Sequence, residues 1–157
     1  MSDIFISFIH EDVKIATAVQ RLIQDQLSTR SVFLSSDPWQ VFAGEVWLDR
    51  IRLELDPAKV VVMLLTSESV KRPWINFEAG AAWLRGKAII PVCYAGLSKS
   101  HLPKPYSNFQ ALDLRTEAYY LVSSVAHHLD ILALPPWLNT GKECSVLMAE
   151  LDQVEGA

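Results

Sequence analysis

Six consecutive apolar residues, Val60-Val61-Val62-Met63-Leu64-Leu65, constrain this chain more than any other feature. Successive side chains of an extended strand point to opposite faces, so a run without polar alternation needs cover on both sides. Strands of that kind belong to parallel sheets sandwiched between helices. Asp56-Pro57 separates the run from what precedes it, and Thr66-Ser67 ends it.

The rest of the chain repeats this plan. Ile4 to Ile9, Ser31 to Ser35 around Val32-Phe33-Leu34, Lys87 to Tyr94 around Ile89, Ile90 and Val92, and Ala111 to Leu114 all read as strands. Helical spacing fills the intervals except residues 95–110, which read as a loop rich in Pro, Ser and Lys. From Val13 to Leu27, Ile15, Val19, Leu22 and Ile23 form one apolar stripe, with Asp12 expected as N-cap. Glu45 to Leu55 continues through Trp47, Leu48 and Ile51, Pro73 to Arg85 opens on a proline suited to a first helical position, and Thr116 to Leu129 is the last core helix. Strands alternating with helices predict an α/β fold of the flavodoxin-like, three-layer type, with five parallel strands in the order 2-1-3-4-5 and helices on both faces. Residues 1–134 form the expected domain. Residues 135–157 begin at Pro135-Pro136-Trp137 and carry Cys144, Leu147, Met148 and Leu151 at helical spacing, so an amphipathic helix either packs on the domain or leads toward a sensor module.

Composition removes several functions. A net charge of -4 argues against a nucleic-acid surface, which needs concentrated basic residues to displace phosphate counterions. Two cysteines make no disulfide framework, and neither a secretory signal nor an apolar span of about 20 residues is present, so a soluble protein of the reducing cytoplasm is expected, with no membrane contact. No Gly-x-Gly-x-x-Gly turn follows the first strand, which disfavours a hydride-transferring dinucleotide fold. A phospho-acceptor receiver domain needs an acidic residue ending strand three, where Leu65-Thr66 stand. His127-His128 would splay about 100° apart on a helix, so no metal site is expected.

Ligands of such sheets sit beyond the carboxyl ends of the strands. Those ends are Phe8 to His10, Ser35 to Asp37 and Thr66 to Ser69, which converge on the helix carrying Glu78 and on an aromatic loop, Asp37 to Gly44, with Trp39 and Phe42. Glu78 is the leading candidate for a reactive group, facing a cleft among Trp74, Phe77 and Ala81 on one side of its helix. A carboxylate in the same place could instead serve the helix dipole and pair with Lys71 or Arg72. Trp83 is expected in the core. For Trp74, core and ligand contact are equally open.

These residues resemble the Toll/interleukin-1 receptor (TIR) domain, particularly its bacterial branch. Asp3-Ile4-Phe5-Ile6-Ser7-Phe8 is similar to the first TIR strand, Ser35 to Gly44 occupies the place of the loop after strand two, and Trp74-Ile75-Asn76-Phe77-Glu78 matches the Trp-x-x-x-Glu pattern. Phe109-Gln110 before the last strand is also similar, and the resemblance spans roughly residues 3 to 130. Ile9-His10 departs from the basic residues that often follow the first strand, and the second loop is shorter than in the animal pattern.

The resemblance implies cleavage of NAD+ at the nicotinamide–ribose bond, giving nicotinamide and ADP-ribose or a cyclic isomer, with Glu78 essential. NAD+ would be substrate, with no cofactor and no metal. Implied substrate contacts are Phe8, Trp39 and Phe42 over the nicotinamide, Trp74 and Phe77 beside Glu78, and Ser7, His10, Ser35 and Ser36 toward ribose or phosphate; local backbone bonding would account equally well for the serines, and a cap or surface role for His10. Implied partners are further TIR copies in a homo-oligomer or filament, and a fused or partner sensor domain in bacterial antiviral defence. Two alternatives stand beside the NADase reading: a non-catalytic adaptor built on TIR-to-TIR contact, and an enzyme similar to nucleoside deoxyribosyltransferases with Glu78 as nucleophile.

Overall fold

A computed structural model describes residues 2–28, 30–36, 47–132 and 142–156. Five strands, β1 (Ile4–Phe8), β2 (Val32–Ser36), β3 (Val60–Leu65), β4 (Ala88–Cys93) and β5 (Leu112–Asp113), form one parallel sheet in the order β2-β1-β3-β4-β5. This is the expected order. The helices are α1 (Val13–Leu27), α2 (Trp47–Leu55), α3 (Pro73–Leu84), α4 (Ala118–His128) and α5 (Lys142–Glu155).

Strand alternation builds two cores. Ile4, Ile6 and Phe8 of β1, with Val60, Val62 and Leu64 of β3, point to the side covered by α1, α4 and α5. Phe5 of β1, with Val61, Met63 and Leu65 of β3, points to the side covered by α2 and α3. The uninterrupted run 60–65 is therefore buried throughout because it contributes to both cores at once.

Asp12 precedes α1 as expected, but its side chain makes no capping hydrogen bond. Its Oδ2 is turned inward instead, buried and without a hydrogen-bond partner. Residues 95–110 contain two short 3-10 turns, 99–101 and 106–108, which order part of the segment expected as loop. The amphipathic helix expected after Trp137 is α5, and it packs on the domain: Cys144, Leu147 and Leu151 are buried in the α1 core. Arg115 donates to Glu155 Oε2 at 2.9 Å and to Asp152 Oδ1 at 2.8 Å, while the Ala95 amide donates to Glu155 Oε1 at 3.1 Å. These contacts tie the end of α5 to the segments leaving β4 and β5. No described helix is long and apolar enough to cross a membrane.

Candidate functional site

β1 and β2 run in parallel register with Ser7 opposite Ser35, so two hydroxyl groups stand side by side near the carboxyl ends of adjacent strands. α3 lies over that point. Pro73 occupies its first turn, where a missing amide hydrogen costs nothing, and Ile75, Ala79 and Ala82 press its inner face onto the sheet. Glu78 belongs to the same inner face and is fully buried. Ser7 Oγ donates to Glu78 Oε1 at 2.7 Å and Ser35 Oγ donates to Glu78 Oε2 at 2.6 Å.

Each oxygen of the carboxylate thus accepts a hydroxyl from a residue distant in sequence. Hydrogen bonds to charged groups contribute about 1.5–3 kcal/mol each, and removing either partner leaves a buried group unsatisfied. The trio stitches α3 to β1 and β2. All three residues are separate candidates in the sequence, yet the serines bond Glu78 rather than local backbone.

The expectation of a carboxylate facing an open cleft is corrected, since Glu78 has no exposed surface. Phe8 is not brought to it either. As the neighbour of Ser7 on an alternating strand, Phe8 points to the opposite face, is 2% exposed and belongs to the α1 core. Trp74 and Phe77 do pair, with ring centroids 5.7 Å apart and planes inclined by 26°, and Phe77 is exposed. Trp74 packs against the α2–α3 core with its indole nitrogen buried and unpartnered. Ser36 ends β2, and His10 lies exposed in a 3-10 turn after β1. Trp39 and Phe42 lie outside the described residues. Arg72 donates to Glu11 Oε1 at 2.8 Å and to Glu68 Oε1 at 3.3 Å.

A second set of contacts, not anticipated from sequence, joins α3 to residues 103–109. Tyr106 is 1% exposed and donates its hydroxyl to Asn76 Oδ1 at 2.7 Å. Burial, then the negative charge of Glu78, pushes its phenol up to about 12, so it remains a neutral donor. Trp83, expected in the core, is 63% exposed and borders a cavity of about 500 Å³ between α3 and residues 103–109. Glu78 does not line this cavity.

Other reactive groups are muted. Burial pushes the Cys93 thiol up to about 11, which keeps it protonated and a poor nucleophile. Among the described residues no three His, Cys, Asp or Glu side chains converge as a metal site.

The family described as TIR domain matches residues 4–129. Among solved structures, the TIR domain of the Toll-related receptor TRR-2 from Hydra magnipapillata matches with a TM-score of 0.60 at 13% identity, covering 83% of this chain and 98% of that one. TIR domains of the activated Roq1 resistosome, a complex directly recognising the pathogen effector XopQ, match at 13% identity over 99% of this chain and 84% of that one, with a TM-score of 0.48. At 13% identity the Hydra likeness is one of fold. No curated protein matches the chain.

Proposed function

The chain belongs to the TIR domain family, and on that premise we propose that it is an NAD+ glycohydrolase whose essential carboxylate is Glu78. The observation that carries this reading is the Ser7–Glu78–Ser35 arrangement: both carboxylate oxygens are engaged by hydroxyl groups at the ligand-binding end of the sheet. A ribose diol offers the same two donors, so substrate entry would exchange one pair of hydroxyls for another while the carboxylate keeps its hydrogen bonds. That exchange requires the cover over Glu78 to open.

One carboxylate is enough for this chemistry. Ordinary glycosides need a general acid because their leaving group departs as an alkoxide. Nicotinamide bonded to ribose carries positive charge. When the C1′–N bond breaks, the bonding pair leaves with nitrogen and nicotinamide departs neutral, so the remaining task is to stabilise the cationic sugar. Water then adds at C1′ and loses a proton to give ADP-ribose, or a nitrogen of the adenine adds to give a cyclic isomer. Trp74 and Phe77 provide aromatic faces of the kind that hold a cationic ring, worth about 0.5–2 kcal/mol depending on desolvation. Assembly with other copies, a sensor partner and a role in antiviral defence belong to the same proposal.

The full burial of Glu78 favours a second reading, in which the trio is a structural tie and the domain acts only by contact with other TIR copies. A deoxyribosyltransferase-like activity would also use Glu78, as nucleophile. Nicotinamide release followed by chromatography, on concentrated and clustered protein with NAD+, separates the three. The NADase reading expects release that falls at least about a hundredfold in Glu78→Gln while the variant's thermal unfolding stays cooperative. Absence of turnover in the clustered parent supports the contact-only reading, and turnover confined to deoxynucleosides supports the third.

A further inference from the structure

The cavity beside Trp83 is unused by the chemistry above. Its α3 wall carries Asn76, Ala79, Gly80 and Trp83, one stripe at helical spacing adjacent to the buried face that holds Glu78. The opposite wall is the segment 103–109, and it is preformed. Prolines at 103 and 105 limit its backbone. Asn108 N–H donates to Pro105 O at 3.0 Å and Phe109 N–H donates to Tyr106 O at 3.1 Å. Tyr106 pins the segment to α3 through Asn76, whose amide in turn donates to Val70 O at 3.3 Å.

Apolar and aromatic surface dominates this space, as in small-molecule sites, which typically enclose about 300–1,000 Å³ and add a few polar groups for orientation. Here those groups are Lys104 and Asn108, both exposed and neither making a side-chain hydrogen bond or ion pair among the described residues. Lys104 is the sole charged residue along the described lining. A large indole face left in solvent beside one unpaired cation selects a ring bearing negative charge. We propose that this cavity binds a flat aromatic molecule carrying a single anionic group, its ring against Trp83 and its anion at Lys104. The site does not depend on NAD+ cleavage.

Anilinonaphthalene sulfonate is a suitable probe because phenylnaphthylamine has the same ring system without the charge. Titrated into the full chain, the anionic probe should bind at one site and quench Trp83 emission, a signal lost in Trp83→Phe. A Cβ added at Gly80 would meet nothing within 4 Å, so the helix accepts a side chain there and Gly80→Leu is the variant chosen to fill the space. That variant should unfold at or above the parent's temperature and bind the anionic probe at least tenfold more weakly. Lys104→Ala should weaken the anionic probe by about three- to tenfold and leave phenylnaphthylamine unchanged. Trp83→Ala, at an exposed position, gives the same loss of probe binding should Gly80→Leu fail to fold. The proposal is overturned if probe binding survives cavity filling or loss of the Trp83 ring, if Lys104→Ala affects both probes equally, or if the parent binds no probe and instead self-associates through this face until Gly80→Leu disperses it.

Discussion

Two carboxylates lie near the same end of the sheet, on opposite faces, one fully buried and one half-buried, and they are treated in opposite ways. Glu78, on the α3 side, is fully buried with a serine hydroxyl on each oxygen. Asp12, on the α1 side, is half-buried, and its buried Oδ2 faces the buried Tyr94 hydroxyl without a well-formed hydrogen bond between them. Burial raises the Asp12 carboxyl above its ordinary range, with the Tyr94 hydroxyl pulling the other way, and burial together with the Asp12 charge raises Tyr94 well above its own. The deeper acid is the satisfied one, and satisfaction decides whether a buried acid supports the fold.

The largest test of this contrast is Glu78→Ala, which leaves Ser7 and Ser35 buried without their acceptor. It should cost about 3 kcal/mol in urea unfolding, and a loss below about 1 kcal/mol would remove the trio as a structural tie. Ser7→Ala and Ser35→Ala should each cost about 2 kcal/mol, because each strips one donor from a buried carboxylate. Their double variant should depart from additivity by more than about 0.5 kcal/mol, since both act through one side chain.

Asp12→Asn should have the opposite sign. A carboxyl whose folded pKa is raised binds its proton more tightly in the folded state, so its contribution is fully present below the unfolded value, near 3.8, and is lost as pH rises through the raised folded pKa. At neutral pH the variant should therefore be more stable than the parent by about 1 kcal/mol, and the parent's decline in stability across that acid window should flatten. Equal slopes in the two proteins would show that Asp12 is not the group responsible. The smallest effect is expected at Gly80, where alanine meets open space inside a helix and should add about 0.5–1 kcal/mol.

Much of the architecture was readable because long apolar runs leave few options: strands such as 60–65 must have two covered faces, and that requirement leads to a parallel sheet with helices on both sides. The site was readable as a set of names but not as a set of contacts. Ser7 and Ser35 lie 71 and 43 residues from Glu78, and local pattern carries no information about such pairings. Phe8 could have been placed correctly from alternation alone, since a strand that aims Ser7 at α3 aims Phe8 away from it. Trp83 was harder. α3 is apolar around most of its circumference, so its pattern does not say which side meets solvent, and the weight of an indole ring biases the reading toward the core. Tyr106 and Phe109 lay in a stretch whose prolines signalled a loop without showing that the loop is pinned to α3.

The family match of this chain ends at residue 129, but its packed structure does not. Leu147 and Leu151 shield the outer side of α1, and Asp152 and Glu155 hold Arg115 and the Ala95 amide from beyond that border. Trimming the protein to its matched span would wet an apolar helix face and orphan a guanidinium and a backbone donor in one cut. For this molecule the matched span and the packed unit have different frontiers, and the last helix lies between them.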